Sequence, residues 1–133
     1  MYPSSVDDRP HLVLCVDDDP SMLALTKIVL ELEGYWVLTA SQGKEALEKF
    51  ASHPVDAVVL DYELPRMNGA EVAREMRRLK PRVPKLLFTS HARIPADAVQ
   101  TVEAFCTKGD GFHALVPQLK HLVVDSEFQC AAG

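Results

Sequence analysis

The chain is poor in cysteine, and its few cysteines are not spaced as bridges or metal ligands. The three cysteines, Cys15, Cys106 and Cys130, show no paired spacing. Zinc sites usually need close Cys/His pairs, and the sequence contains none. Cys15 and Cys106 lie in strand-like runs, so we expect both to be small buried hydrophobes in a reducing cytosol. Neither a disulfide framework nor a zinc site is therefore expected.

The chain also lacks a surplus of basic residues and a long apolar run. Its formal net charge is −5 and it has no stripe of lysine and arginine, which argues against nucleic-acid binding by this chain. Residues 1–10 have neither the positive flank nor the apolar stretch of a signal peptide, and no apolar run is long enough to cross a bilayer. We expect a cytoplasmic protein that binds neither nucleic acid nor membrane.

What remains is the composition of a single globular domain. A chain of 133 residues that is 47% hydrophobic and 25% charged can bury one core but not two. Residues 1–10 are polar and contain proline, which predicts a flexible leader. Residues 125–133 are expected to form a disordered tail. The folded domain is therefore predicted at 11–124.

Strand and helix patterns alternate along this domain. Apolar runs predict five strands, at residues 11–16, 36–40, 56–61, 85–89 and 104–108. Amphipathic stretches predict helices at residues 20–33, 43–53, 69–79 and 112–124, with only a short helix near Pro95. This alternation predicts an α/β fold in which helices cover both faces of a doubly wound parallel sheet.

The first helix has a clear start and an apolar periodicity. Asp19 followed by Pro20 is typical of a helix N-terminus. A period of 3.6 residues predicts one buried face, formed by Met22, Leu25, Val29 and Leu32.

Several polar residues lie at the ends of the predicted strands. Asp17 and Asp18 follow the first strand, Asp61 ends the third, Thr89 ends the fourth and Lys108 ends the fifth. The carboxyl ends of the strands of a doubly wound sheet share one edge, so these side chains should converge. Three clustered carboxylates repel one another unless a cation lies among them, and oxygen ligands suit Mg²⁺.

Such a cluster has a specific chemistry, although each member also has an ordinary explanation. A carboxylate beside Mg²⁺ and a lysine can attack phosphorus and form an acyl phosphate. On its own, Asp61 could equally be a residue that ends a strand, and an aspartate run is usually a helix cap plus solvated charge. The coincidence of all these residues at one edge favours the functional interpretation.

Four segments resemble the receiver domain of bacterial two-component response regulators, a family that includes the single-domain chemotaxis regulator. LVLCVDDDP resembles the family's first strand, and its acidic pair falls on Asp17 and Asp18. LDYELPRMNG resembles the phosphoacceptor segment, with the acceptor at Asp61. KLLFTS resembles the fourth strand, ending at Thr89, and FCTK the fifth, ending at Lys108. The resemblance covers roughly 11–124 and implies a flavodoxin-like sheet with strand order 2-1-3-4-5.

The resemblance also implies a metal and a phosphoryl donor. Asp18, Asp61 and the backbone carbonyl of Glu63 would bind Mg²⁺ (or Mn²⁺), with Asp17 acting through water. Asp61 would form an aspartyl phosphate with a phosphoryl group from a sensor histidine kinase, a histidine phosphotransfer protein or a small phosphodonor. The chain would then be a phosphoacceptor rather than an enzyme, with at most slow self-phosphorylation and autodephosphorylation.

A conformational switch is implied as well. Thr89 would swing toward the phosphoryl group, and Phe105, at the position of the family's switch aromatic, would follow inward. The face built from helix four, strand five and helix five would be remodelled and would bind a downstream effector protein. A homodimer through that face is a further expectation. The chain itself would contain no output domain.

The chain departs from the family pattern near the switch. Gly109 stands where the family usually has proline, and Ser90 replaces the customary alanine. The span from Thr89 to Lys108 is short, which predicts a truncated helix four. Glu63 and His91 occupy two variable positions that flank the site, and we expect them to pair over it and limit the approach of hydrolytic water.

Two other functions fit part of the pattern. One is a receiver-like protein-interaction module with weak or no phosphorylation. The other is a phosphatase of the haloacid-dehalogenase type, which also uses an aspartate nucleophile and Mg²⁺. That class needs a second aspartate two residues after the nucleophile, where this chain has Glu63, and its nucleophile lies on the first strand. The signalling switch remains the leading prediction.

Overall fold

The computed structural model describes residues 9–91 and 93–132, with side chains described up to residue 124. Most of the predicted leader, residues 1–8, lies outside the described residues. The strands are β1 (Leu12–Val16), β2 (Trp36–Ala40), β3 (Ala57–Leu60), β4 (Lys85–Thr89) and β5 (Ala104–Thr107). The helices are α1 (Pro20–Leu32), α2 (Gly43–Ser52), α3 (Gly69–Leu79), α4 (Ala96–Val99) and α5 (Phe112–Ala132), with a 3₁₀ turn at Lys108–Asp110.

The five strands form one parallel sheet in the order β2-β1-β3-β4-β5, which confirms the predicted topology. Central strand β3 is buried along its whole length, as expected for a parallel strand covered on both faces. Because all strands are parallel, their carboxyl ends lie at one edge, which is the edge predicted to contain the site.

Alternate residues of each strand pack on opposite faces of the sheet. On β1, Val13 and Cys15 belong to one apolar cluster, and Leu14 and Val16 belong to another. The first cluster includes residues of α1 and α5, and the second includes residues of α2 and α3. These two cores hold the strand ends in place from both sides.

The predicted apolar face of α1 is wrong at two of its four positions, since Met22 and Val29 are half-buried but Leu25 and Leu32 are not. Leu25 and Leu32 are 46% and 82% exposed, whereas Thr26 and Leu30 are buried. Apolar residues occupy so many positions of this helix that the period of 3.6 does not single out one face. Thr26 can be buried because its hydroxyl donates a hydrogen bond to the carbonyl of Met22, 2.8 Å away. The outer face of α1 is therefore unusually apolar.

Helix α4 is a single turn, as the short span before β5 predicted. Two arginines of α3 contact the same stretch of chain. Arg74 lies 3.6 Å from Asp97, and Arg77 donates a hydrogen bond to the carbonyl of Gln100. The segment between β4 and β5 is thus linked to α3 by polar contacts.

Helix α5 differs from its prediction in length. It runs to Ala132 and so includes residues 125–132, which the sequence assigned to a disordered tail. Pro117 lies within the helix, where it removes one backbone donor without ending it. The proposed domain bounds themselves stay a prediction.

Candidate functional site

The predicted acidic cluster is present at the carboxyl edge of the sheet. One carboxylate oxygen from each of Asp17, Asp18 and Asp61 lies within 4.8 Å of the others. Asp17 and Asp61 are each 6% exposed, and Asp18 is exposed. The backbone NH of Asp61 donates to the carbonyl of Val16, so the pairing of β1 with β3 brings the acids together.

Asp19 orders the first acidic segment. Its side chain accepts hydrogen bonds from the backbone NH groups of Ser21 and Met22 and thereby caps α1. Its own backbone NH donates to Asp17 Oδ1 over 3.0 Å. The consecutive aspartates therefore differ in role, since Asp17 faces the site, Asp18 faces solvent beside it and Asp19 starts the helix.

Lys108 enters the cluster from the end of β5. Its Nζ lies 2.6 Å from Asp17 Oδ2 and 2.9 Å from Asp61 Oδ2. Burial lowers the pKa of Lys108, but hydrogen bonds to both carboxylates outweigh it and raise this pKa. Burial raises the pKa of Asp17, helped by repulsion from Asp61. The contact with Lys108 lowers the pKa of Asp17, but it does not outweigh the effect of burial.

One oxygen of the candidate acceptor has no partner. Asp61 Oδ1 is buried and accepts no hydrogen bond from the described residues, whereas Oδ2 accepts from Lys108. Buried polar atoms are nearly always satisfied, so an unsatisfied one needs an explanation. The atoms of the cluster that could bind a cation are carboxylate oxygens, the ligand type that hard cations such as Mg²⁺ prefer. The residues present thus fit a divalent cation at this cluster.

Gly69 lets the start of α3 approach the candidate acceptor. A Cβ at this position would lie 2.3 Å from the carbonyl oxygen of Asp61, so any side chain would displace the backbone. The NH of Gly69 donates to the carbonyl of Tyr62, and Asn68 caps α3 through the NH of Glu71. The glycine seen in the sequence is therefore required by packing against Asp61.

The residues predicted from the end of β4 are near the site but differ in exposure. Thr89 is fully buried, and its Oγ1 accepts a hydrogen bond from the NH of His91 over 3.4 Å. Ser90 is exposed. The sequence predicted roles for both residues, and those roles stay predictions.

Glu63 and His91 are in contact, as expected for their pairing. His91 Nε2 lies 2.7 Å from Glu63 Oε1, and the side chains are 45% and 69% exposed. Glu63 follows β3 and His91 follows β4, so the contact joins the two loops that leave neighbouring strands. Whether it affects hydrolysis stays a prediction, as does a metal contact from the carbonyl of Glu63.

Phe105 is half-buried on β5. It pairs in register with Leu87 of β4 and packs at the margin of the core formed with α2 and α3. Its predicted inward movement needs such a partly buried starting position.

Sequence reasoning missed two polar residues next to Lys108. Thr107 Oγ1 donates a hydrogen bond to Asp110 Oδ2 over 2.9 Å, across the 3₁₀ turn that begins with Lys108. The sequence contains a signal for this turn, because Asp110 followed by Gly111 is a common turn pair.

Comparison with known families identifies the kind of domain that contains this acidic cluster at the carboxyl edge of the sheet. The sequence model of the response regulator receiver domain matches residues 13–108, which span β1 to the lysine of the site. The chain belongs to the response regulator receiver domain family. It is thus a receiver domain of two-component signalling, and its fold and acidic pocket are those of the family.

The curated relatives are longer proteins. The chain is 38% identical over 104 residues to the transcriptional regulatory protein GlrR of Escherichia coli, covering 75% of this chain and 23% of GlrR. It is 35% identical over 116 residues to the transcriptional regulatory protein KdpE of Mycobacterium tuberculosis, covering 84% of this chain and 50% of KdpE. The chain therefore spans half or less of the length of these relatives.

Solved receiver structures superpose closely. A CheY-like receiver domain from Methanospirillum hungatei gives a TM-score of 0.85 at 28% identity, covering 90% of this chain and 98% of the other. TrrA from Thermotoga maritima, solved in complex with Mg²⁺ and BeF, gives 0.81 at 36% identity, covering 84% and 98%. TrrA was also solved in complex with the histidine kinase ThkA, with a TM-score of 0.77 at 38% identity, covering 84% of this chain and 97% of TrrA. No helix among the described residues is long and apolar enough to span a membrane.

Proposed function

We propose that this receiver domain is a phosphorylation-dependent signalling switch that accepts a phosphoryl group on Asp61. The observation that carries the proposal is the set of contacts made by the two oxygens of that carboxylate. Its Oδ2 contacts the ammonium of Lys108, while its buried Oδ1 has no partner among the described residues. The acceptor is therefore beside a fixed positive charge and retains an oxygen for a cation or a phosphoryl group.

The proposed metal is Mg²⁺, with Mn²⁺ as a substitute. Asp18, Asp61 and the backbone carbonyl of Glu63 would hold it, and Asp17 would act through water. When bound, the cation supplies charge neutralisation for the carboxylates and for phosphoryl oxygens. The proposal is supported by the all-oxygen donor set and by TrrA, which was solved with Mg²⁺ and BeF.

Phosphoryl transfer would use the residues at the strand ends in distinct roles. A carboxylate oxygen of Asp61 forms a bond to phosphorus as the bond from phosphorus to the donor's histidine nitrogen breaks, and that nitrogen keeps the bonding electrons. Lys108 would stabilise the negative charge on the phosphoryl oxygens, and Thr89 would donate its hydroxyl to one of them. The chain would then be a phosphoacceptor with at most slow self-phosphorylation and autodephosphorylation.

The readout would start from Thr89 and Phe105. Movement of the buried hydroxyl of Thr89 toward the phosphoryl group would free space beside β4, and the half-buried ring of Phe105 would turn inward. Ser90 would adjust access to the phosphoryl group. The remodelled face of α4, β5 and α5 would bind a downstream effector or a second copy of the chain, although here α4 contributes only one turn.

The contact between Glu63 and His91 would control the lifetime of the aspartyl phosphate. The two side chains meet at 2.7 Å and join the loops after β3 and β4. Such a contact would restrict the path of a water molecule to the phosphorus atom. Its effect should be modest, because both side chains are largely exposed.

A sensor histidine kinase or a histidine phosphotransfer protein is the proposed donor in the cytosol. The exposed apolar face of α1 supports docking of such a helical partner, since Leu25 and Ile28 are 46% and 54% exposed on the helix that starts at the acidic cluster. The complex of TrrA with a histidine kinase is consistent with this assignment.

A beryllofluoride titration distinguishes the switch from an interaction module that takes no phosphate. We expect the wild-type chain to bind beryllofluoride only with Mg²⁺ present, and to show chemical-shift changes at Thr89 and Phe105. Asp61→Asn should abolish binding. If the wild type shows no Mg²⁺-dependent binding, the interaction module replaces the switch as the better proposal.

A further inference from the structure

The turn that carries Lys108 is closed by a side-chain hydrogen bond. β5 ends at Thr107, and Lys108–Asp110 follow as a 3₁₀ turn. The hydroxyl of Thr107 donates to Asp110 Oδ2 over 2.9 Å, and the NH of Gly111 donates to the carbonyl of Lys108 over 3.0 Å. One bond thus joins the residue before the turn to its last residue, and the other joins Lys108 to the residue after the turn.

The glycine at the end of the turn is required, whereas the one inside it is not. Gly111 has φ 78° and ψ −178°, a conformation that only glycine adopts readily. At Gly109 an added Cβ would have Thr107 Oγ1 as its nearest neighbour, 3.9 Å away, so there is room for it. No side chain at position 109 restrains the backbone of Lys108, which leaves the strand before it and the hydrogen bonds of the turn.

The position of Lys108 has to be restrained because its ammonium contacts two carboxylates at once. One ammonium has to lie within 3 Å of two carboxylates that come from different strands, as the 2.6 Å and 2.9 Å contacts show. The two carboxylates directly follow the paired strands β1 and β3, whereas the backbone of Lys108 lies in the turn after β5, so the turn sets the position of the lysine. A small rotation of the turn would lengthen at least one contact.

We propose that Thr107 and Asp110 are positioning residues for Lys108, acting through their mutual hydrogen bond. Their hydrogen bond joins them to each other and not to Asp61. The expected effect on phosphoryl binding rests on the proposed function. The expected effect on the position of the Lys108 ammonium does not, because that position can be observed without phosphate.

The test compares two disruptive variants with three controls. Thr107→Val removes the donor at nearly constant shape, and Asp110→Ala removes the acceptor. Thr107→Ser and Asp110→Asn retain a hydroxyl and a carbonyl oxygen, and Gly109→Ala changes the turn where space is free. Each variant is measured for the ¹H–¹⁵N ammonium signal of Lys108 without metal, for Mg²⁺ affinity, for beryllofluoride affinity at saturating Mg²⁺ and for the thermal midpoint.

The disruptive variants should broaden or shift the ammonium signal and lower beryllofluoride affinity by about tenfold, the scale of one charge-assisted hydrogen bond. Their Mg²⁺ affinity should not fall, and the three controls should resemble the wild type. The inference is overturned if the signal and affinity stay unchanged in Thr107→Val and Asp110→Ala. It is also overturned if Mg²⁺ affinity and thermal midpoint fall together with beryllofluoride affinity, because the residues would then be merely structural.

The two levels of the proposal can fail separately. Absence of beryllofluoride binding by the wild type would contradict the proposed function. In that case the ammonium signal alone decides the positioning role, with a change in the two disruptive variants supporting it and no change overturning it.

Discussion

Lys108 and Asp61, the residues that directly follow β5 and β3, are in contact with Nζ 2.9 Å from Oδ2, although β4 lies between these strands in the sheet. The same ammonium contacts Asp17, so it neutralises part of the charge that a divalent cation would neutralise. We therefore expect the lysine and a bound metal ion to compete electrostatically for the acidic cluster, whereas both would attract a phosphoryl group.

This competition predicts opposite effects of one substitution. Lys108→Met should raise Mg²⁺ affinity by roughly tenfold, because the carboxylates lose their only described lysine partner. The same variant should accept phosphate from a small donor on the order of a hundredfold more slowly, because a group that stabilises the transferring charge is gone.

Lys120→Met is the matched control for that experiment. It removes the same charge from an exposed pair with Glu33, away from the cluster. Calorimetric titration of Mg²⁺ should distinguish the two variants. Equal or weaker Mg²⁺ binding by Lys108→Met than by Lys120→Met would refute the competition.

Glu63→Ala should shorten the lifetime of the aspartyl phosphate. Loss of the 2.7 Å contact with His91 opens a path for water, and we expect dephosphorylation to be roughly threefold faster, in keeping with an exposed pair. The decay of phosphorylated protein is followed by mass spectrometry after the donor is removed.

His91→Ala and the double variant Glu63→Ala/His91→Ala complete a double-mutant cycle with Glu63→Ala. If the contact between the two side chains slows hydrolysis, the aspartyl phosphate decays at similar rates in both single variants and in the double variant. Additive effects, or a Glu63→Ala rate equal to that of the wild type, would show that the contact does not limit hydrolysis.

A buried ion pair at the amino end of β4, away from the site, predicts how two substitutions change the free energy of unfolding. Lys85 is 0% exposed, and its Nζ lies 3.2 Å from Glu103 Oε1, which also accepts from the backbone NH of Lys85. Glu103→Ala should destabilise the fold by about 2–4 kcal/mol, because it leaves the buried ammonium without its carboxylate.

Lys85→Met should in contrast be neutral or stabilising, because an apolar side chain of similar length fits a fully buried site. In the Lys85→Met background, Glu103→Ala should cost less than in the wild type. Chemical denaturation measures all four free energies of unfolding. A larger loss for Lys85→Met than for Glu103→Ala would mean that the pair contributes net stability.

Cys15 should be inert toward thiol reagents in the native state. Burial raises the pKa of its thiol to about 12, so at pH 8 roughly one thiol in ten thousand is ionised. Peptide mapping after alkylation at pH 8 should find Cys15 unmodified in native protein and fully modified in guanidinium. Comparable labelling in both conditions would contradict the burial of β1.

The sequence predicted the sheet well because strand and helix signals alternate and the strand ends carry polar residues. Parallel strands in order 2-1-3-4-5 place Asp17, Asp61 and Lys108 at one edge whatever the details of packing. Single residues such as Asp61 were ambiguous alone, and their convergence removed the ambiguity.

The errors arose where sequence patterns are degenerate. Helix α1 has apolar residues on more than one face, so periodicity selected Leu25 and Leu32, which are exposed. The hydrogen bond between Thr107 and Asp110 was missed because it depends on the geometry of the turn, although the pair Asp110–Gly111 indicated that a turn is present.

Phosphorylation of Asp61 by acetyl phosphate tests the central claim most directly. Intact-protein mass spectrometry should show a gain of one phosphoryl group with Mg²⁺ present and no gain in EDTA. Asp61→Asn should show no gain, whereas Asp56→Asn, which alters a carboxylate at the opposite end of β3, should react like the wild type. A wild-type protein that gains no phosphoryl group, or an equal gain in Asp61→Asn, would contradict the account.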